Sequence, residues 1–292
     1  TSVQLLATNN GTPHTTSLAV DANNRLHLTF FNPGATQLRY GTCDAAVSAI
    51  YCATAANWTI LVIDATTASN GQYNSIVVQP GAPPILHVVY TNTTGGATSY
   101  LTCTLTLPTT CGAGIGNWTR TAAIPTVSAT AENINLALDS NNRLHLIFRT
   151  AGAATLRYTN CAATCNTAAN WLALLTVDTV AGPPAAAFAN TLGLAIRGTR
   201  LHIVYQDTTA AKLKYGTCDH TATLCDVAGD WTLIPVDTGS LNNGRYARIA
   251  ADGADRLHVV YNVAGLGGVA ESPAGQLKYA TCASNGVADC AT

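Results

Sequence analysis

The chain has 292 residues, of which 48% are hydrophobic and 10% charged, and its formal net charge is −1. So little charge excludes the clustered Lys and Arg that nucleic-acid binding needs, and so much apolar sequence excludes a disordered chain. No apolar run reaches the roughly 18 residues of a membrane helix, so no membrane span is expected.

In chain order, the first unit shows four strand-like runs. These are SLAVD ending at Asp21, RLHLTFF from Arg25, QLRYGTC around Tyr40, and NWTILVID ending at Asp64. All are short, rich in β-branched and aromatic residues, and separated by Asn, Gly, Asp and Pro clusters. The pattern then recurs, giving five units at about 13–64, 73–127, 132–178, 188–237 and 246–292. A Leu-His-x-x-aromatic motif carries His27, His87, His145, His202 and His258, spaced 60, 58, 57 and 56 residues apart. A Tyr-x-x-Cys follows each: Tyr40/Cys43, Tyr100/Cys103, Tyr158/Cys161, Tyr215/Cys218 and Tyr279/Cys282. Four units then carry a Trp: Trp58, Trp118, Trp171 and Trp231. Between the first two runs stand Asn23-Asn24, Asn141-Asn142, Gly198-Thr199 and Gly253-Ala254, residues that tolerate the positive φ of a tight hairpin.

Four antiparallel strands per unit, five units and no helical period predict an all-β, five-bladed β-propeller forming a single domain over residues 1–292. Aligned on the fourth unit's last run, residues 1–8 read as the missing fourth strand of the fifth unit, which would close a ring and remove the open edges. The fifth Trp is absent from both ends. Three readings stay open: trimmed ends, a longer precursor, or a strand passed to a neighbouring molecule.

The ten cysteines fall into five local pairs: Cys43/Cys52, Cys103/Cys111, Cys161/Cys165, Cys218/Cys225 and Cys282/Cys290. With no C-x-x-C spacing, the pairs read as disulfides rather than zinc ligands, in a secreted or cell-surface protein. No metal and no cofactor are expected. The repeated His, Tyr and Trp are read as structural, one set per blade. Arg39, Arg157, Lys214 and Lys278 precede the repeat Tyr, and fourth runs end in Asp64, Asp178 and Asp237. Ion pairs across the third and fourth strands of each unit are the expected use of these charges.

Binding residues are sought where the repeats differ. Just before the innermost strands stand His14, Tyr73, Glu132, Phe188 and Tyr246, with Asn10-Gly11, Asn70-Gly71 and Asn243-Gly244 upstream. Aromatic rings stack on sugar faces while amides read hydroxyls, so these five positions are the candidate ligand site. Only two of the 15 acidic residues are Glu, Glu132 and Glu271, and no Ser-His-Asp, phosphate-loop or H-E-x-x-H motif occurs. The sequence is therefore read as non-enzymatic, with a glycosidase the weakest of the readings.

Taken together, LHxx[FY], [RK]-Y-x-x-C and [ND]-W-T look like a β-propeller repeat, and the blade number and closure resemble the five-bladed tachylectin-type lectins. The resemblance is one of architecture. Those lectins have shorter blades and lack the paired cysteines, so none of their sugar-binding residues carries over. The function expected is a structural or adhesive extracellular module that assembles with itself into filaments or arrays. The alternative is a multivalent lectin that takes extracellular glycans on its D–A loop face.

Overall fold

The computed structural model describes residues 15–48, 50–65, 70–92, 97–106, 111, 117–121, 124, 131–150, 155–179, 192–237, 243–263 and 276–283. Among them there is no α-helix, only strands and single 3-10 turns. The first sheet holds β1 (Thr16–Val20), β2 (Arg25–Asn32), β3 (Gln37–Asp44) and β4 (Thr59–Asp64). The second holds β5 (Asn70–Gln79), β6 (Ile85–Asn92), β7 (Ala97–Thr104) and β8 (Thr119–Thr121). The third holds β9 (Ala131–Leu138), β10 (Leu144–Thr150), β11 (Thr155–Cys161) and β12 (Leu175–Thr179). In the fourth are β13 (Gly193–Arg197), β14 (Arg200–Asp207), β15 (Lys212–Asp219) and β16 (Thr232–Asp237), and in the fifth β17 (Asn243–Ala251), β18 (Arg256–Val263) and β19 (Gln276–Ala283). Each sheet follows chain order, the up-and-down meander of a propeller blade. The fifth has three strands among the described residues, and the fourth strand expected from residues 1–8 lies outside them. The chain divides into two compact units, residues 1–144 with 161–171, and residues 145–160 with 172–292.

The hairpin joining the first two strands of a sheet is built by an aspartate. The Asp21 carboxylate accepts the backbone N–H of Asn23 at 2.8 Å and of Arg25 at 2.9 Å. Asp139 does the same for Asn141 and Arg143, both at 2.8 Å, and Asp252 for Ala254 at 2.8 Å and Arg256 at 2.9 Å. This turn puts the residue just before the second strand in the left-handed region: Asn24 at φ 58°, Asn142 at φ 62° and Asp255 at φ 60°. The positive φ foreseen in the fifth unit thus falls on Asp255 rather than on Gly253-Ala254. The fourth sheet has no such Asp and turns through Gly198, at φ 55°.

Apolar side chains fill the seams between consecutive sheets. In the first unit Leu38, Tyr40 and Ile63 of sheet 1 join Ile76, Leu86, Val88, Leu101 and Trp118 of sheet 2. In the second unit Ile147, Leu156, Tyr158 and Val177 meet Leu201, Ile203, Tyr205 and Trp231. Val204, Leu213, Tyr215 and Val236 in turn meet Leu257, Val259 and Tyr261. Three seams pair an aromatic of one sheet with the Trp of the next, edge to face. Tyr40 meets Trp118 with centroids 5.3 Å apart, Tyr100 meets Trp171 at 5.8 Å, and Tyr158 meets Trp231 at 5.3 Å.

Four of the expected disulfides join Cys43–Cys52, Cys103–Cys111, Cys161–Cys165 and Cys218–Cys225. Cys282 is disulfide-bonded as well, and Cys290 lies outside the described residues. These bridges also hold the Trp. The carbonyl of the second cysteine accepts the indole N–H: Trp58 on Cys52 at 2.8 Å, Trp171 on Cys165 at 2.9 Å and Trp231 on Cys225 at 3.2 Å. The disulfides and the lack of any helix long and apolar enough to span a membrane among the described residues are consistent with a secreted or extracellular protein.

Candidate functional site

The repeated histidines lie inside the blades. Nδ1 of each meets the hydroxyl of its repeat Tyr: His27 with Tyr40 at 2.7 Å, His87 with Tyr100 at 2.5 Å, and His145 with Tyr158 at 2.7 Å. His202 with Tyr215 and His258 with Tyr279 repeat the pair at 2.6 Å. On the other ring nitrogen, His258 Nε2 pairs with Asp252 at 3.0 Å and His87 Nε2 with Gln79 Oε1 at 2.9 Å. Burial lowers the pKa of His87 to about 4; burial first, and then the Arg200 charge, does the same for His202. These rings tie neighbouring strands of one sheet together.

The expected ion pairs run elsewhere than foreseen. Lys214 Nζ lies 2.9 Å from Asp178 of the preceding sheet, and Lys278 Nζ lies 2.7 Å from Asp237 of the preceding sheet. Arg120 Nε, 3.4 Å from Asp64, repeats the arrangement between sheets 2 and 1. The sequence reading placed these pairs across two strands of one sheet. In the fold, the end of the fourth strand sits over the next sheet, so its carboxylate meets that sheet's cation.

In each unit the loops entering the first strands of the sheets carry the residues that the sequence singled out for binding. Gly71 at φ 92° and Gly244 at φ 88° open β5 and β17. A Cβ on Gly71 would stand 2.8 Å from Leu38 Cβ, and one on Gly244 would stand 2.8 Å from Leu213 Cα. The chain therefore enters each strand pressed onto the preceding sheet, and only glycine fits. The neighbouring amide is a clamp. Asn243 is fully buried, its Oδ1 accepts the Leu213 N–H, and its Nδ2 donates to the Asp237 carbonyl at 2.8 Å. That corrects the expectation of an amide free to read a ligand here: Asn243 is spent on joining two sheets.

Downstream of the glycines the repeat position differs from sheet to sheet, as expected. Tyr73 is buried, 5% exposed, and Glu132 stands close enough for its charge to act on it. Burial, then that charge, holds the Tyr73 phenol well above its ordinary pKa. Tyr246, in the second unit, is 39% exposed and sits at φ 54°, an uncommon conformation for an aromatic residue. His14 and Phe188 lie outside the described residues. One residue was missed. Arg245, 7% exposed and next to Tyr246 in the chain, keeps an Nη1 with no hydrogen-bond partner among the described residues. No repeat motif marks it; only its being the lone basic residue next to a candidate aromatic could have drawn notice.

No protein-family model matches the sequence, and no curated protein does. Solved structures do. An α-L-arabinofuranosidase from Lactobacillus brevis superposes with a TM-score of 0.53 at 11% identity, over 93% of this chain and 91% of that one. The exo-β-1,3-galactanase of Phanerochaete chrysosporium gives 0.51 at 10% identity over 91% of this chain, which spans 59% of that longer protein. The six-bladed, fucose-recognising Aleuria aurantia lectin gives 0.50 at 12% identity, over 94% of this chain and 80% of that one. At such identities the likeness is one of fold, and it places the chain among β-propellers. It also overturns the non-enzymatic reading of the sequence. Two of these three structures are glycoside hydrolases, so catalysis is compatible with this architecture. The lectin among these neighbours has six blades, and the five-blade count of this chain rests on the repeats alone.

Proposed function

We propose that the chain is a carbohydrate-recognising β-propeller that takes sugars at the entries to its innermost strands. The observation that carries this reading is Tyr246, an exposed ring held in an uncommon backbone conformation at the start of β17. The ring offers a flat apolar face to a pyranose or furanose. In the other unit, Glu132 beside Tyr73 supplies a carboxylate that accepts from sugar hydroxyls. That lectins and glycoside hydrolases share the fold supports the reading.

The test is a glycan array, followed by calorimetry on any sugar retained, with release of reducing sugar from arabinan and β-1,3-galactan assayed in parallel. Tyr246→Ala and Glu132→Gln should each weaken binding by tenfold or more while leaving the melting temperature within a few degrees. Turnover of either polymer, abolished by Glu132→Gln, would make the protein a hydrolase; binding without turnover would make it a lectin. Undiminished binding in both variants would place the site elsewhere.

A further inference from the structure

His220 belongs to none of the repeated motifs. It stands two residues after the first cysteine of its unit, where sheets 1, 2 and 3 carry Ala45, Leu105 and Ala163. The backbone at this place is shared. The Leu105 N–H donates to the Pro84 carbonyl at 2.8 Å, and the His220 N–H to the Thr199 carbonyl at 2.9 Å. Leu105 is buried in the apolar seam of its sheet, where it lines the same cleft as Asp21 of the preceding hairpin. His220 is equally buried, 6% exposed, but brings a polar ring to that place. Burying an imidazole where leucine serves elsewhere costs free energy unless the ring is given polar company.

That company comes from sheet 3. The His145 and His220 rings stand 5.0 Å apart, tilted by 60°. Nδ1 of His145 is taken by the Tyr158 hydroxyl at 2.7 Å, which also accepts from Asn160 Nδ2 at 3.2 Å. The ligand nitrogen that His145 has to offer is therefore Nε2. In the matching hairpins this nitrogen faces the aspartate that builds the turn, at 3.4 Å for His27 with Asp21 and 3.0 Å for His258 with Asp252. The turn aspartate of sheet 3 is Asp139. It sits on the same hairpin as His145, between the hydrogen-bonded neighbours β9 and β10, and its N–H closes the ladder on the Arg143 carbonyl at 3.0 Å. Hairpin geometry thus brings Asp139 to His145, and His220 adds a third donor. One ligand atom from each of Asp139, His145 and His220 lies within 4.8 Å of the others, and all three residues are buried.

We propose that Asp139, His145 and His220 bind a divalent transition-metal cation of the zinc type. Two imidazoles and one carboxylate make a ligand set that zinc accepts. Mg²⁺ and Ca²⁺ are disfavoured, because they take oxygen ligands throughout. The cation also settles the charge of the cluster. A buried carboxylate needs a counter-charge, and the metal supplies it while both rings stay neutral. Tyr158 is the outer partner: its hydroxyl oxygen accepts the Nδ1 proton of His145 and so fixes the tautomer that offers Nε2. With three protein ligands the fourth position falls to water. The bound ion fastens the turn after β15 to β10. These residues differ from those of the sugar-binding proposal, and the two stand or fall separately.

The test is calorimetric titration of zinc sulfate into the oxidised protein after stripping with EDTA, with cobalt chloride followed in parallel by its visible absorption. One ion per chain should bind tightly and raise the melting temperature. Cobalt should show the intense bands of a four-coordinate site, and excess Mg²⁺ should displace neither ion. His220→Leu installs the residue that sheet 2 carries at this place, so it should fold with unchanged circular dichroism. It should bind zinc about a hundredfold or more weaker, since losing a ligand costs more than losing an outer partner. Asp139→Asn keeps an oxygen for the hairpin turn and should weaken binding as well. A stripped wild type that takes up no zinc overturns the proposal and leaves the three side chains a hydrogen-bonded cluster. So does uptake at wild-type affinity in His220→Leu or, should that variant not fold, in Asp139→Asn, which would place the ion elsewhere.

Discussion

Lys214 reaches back from the fourth sheet to Asp178 at the end of the third, 2.9 Å away, and so binds one blade to the next. The same carboxylate accepts the Tyr205 hydroxyl at 2.7 Å, and Lys214 also pairs with Asp207 at 2.8 Å. The arrangement recurs one blade on, where Asp237 takes Lys278 at 2.7 Å and Tyr261 at 2.9 Å. Burial works against the Lys214 charge, but the two carboxylates outweigh it and leave its pKa raised. The seams are therefore both apolar and ionic, the ion pair sitting at the rim of the packed rings.

Lys214→Met should destabilise the protein by about 1–3 kcal/mol, because Asp178 and Asp207 lose their shared cation in a largely buried place. Urea denaturation of the two proteins measures the difference. A variant as stable as the wild type would mean that water solvates the two carboxylates once the lysine is gone.

The aromatic pairs allow a comparison inside one molecule. Trp231 is buried against Tyr158, so Trp231→Ala should cost about 3–5 kcal/mol. Trp58 keeps its hydrogen bond to the Cys52 carbonyl but packs on no tyrosine ring among the described residues. Trp58→Ala should cost clearly less, as read from the same urea curves at a concentration where the protein is monomeric. Equal losses would mean that the indole acts through its own sheet and not through the seam.

The blades were legible in the sequence because their periods are local. The Leu-His-x-x-aromatic run, the Tyr-x-x-Cys and the paired cysteines each fix a place within one sheet, and the pairing His27–Tyr40 lies only 13 residues apart. What joins sheets was harder to read. Asp178 and Lys214 are 36 residues apart, and a repeat gives every Asp two equivalent cations, one in its own unit and one in the next. A concerted change does hint at the choice: the third unit has Phe148 at the place of Tyr205, and the unit before it has Ile124 at the place of Asp237. The site was half-legible for a related reason. Tyr246 and Glu132 stand out as departures from the repeat, whereas the burial of Tyr73 and the spent amide of Asn243 depend on how the entering loop presses on the preceding sheet.

The disulfides all close short loops, of separations 9, 8, 4 and 7, so their contributions should be modest. Chain-entropy reasoning gives about 2–3 kcal/mol for each. Replacing both Cys43 and Cys52 by Ala, which opens the loop of separation 9, should cost slightly more than replacing Cys161 and Cys165, of separation 4. Because the second cysteine also presents the carbonyl that holds the Trp, either double variant should loosen the indole, seen as a red shift and quenching of tryptophan fluorescence. Unchanged fluorescence alongside a lowered melting temperature would confine the effect of the bridge to the unfolded chain.

Acid should weaken the fold through the buried histidines. His87 and His202 have pKa values of about 4, pushed down chiefly by burial, against about 6.5 in an unfolded chain. Between those two values the unfolded chain binds more protons than the folded one, so stability is whole above pH ~6.5 and falls as the pH drops towards ~4. Each unit of depression corresponds to about 1.4 kcal/mol for each ring. Nε2 of His202 has no hydrogen-bond partner among the described residues. Melting temperatures measured from pH 8 to pH 4 should therefore decline through this window, and His202→Gln should make the decline shallower even if it lowers the starting value. A decline of the same slope in that variant would shift the acid sensitivity away from His202.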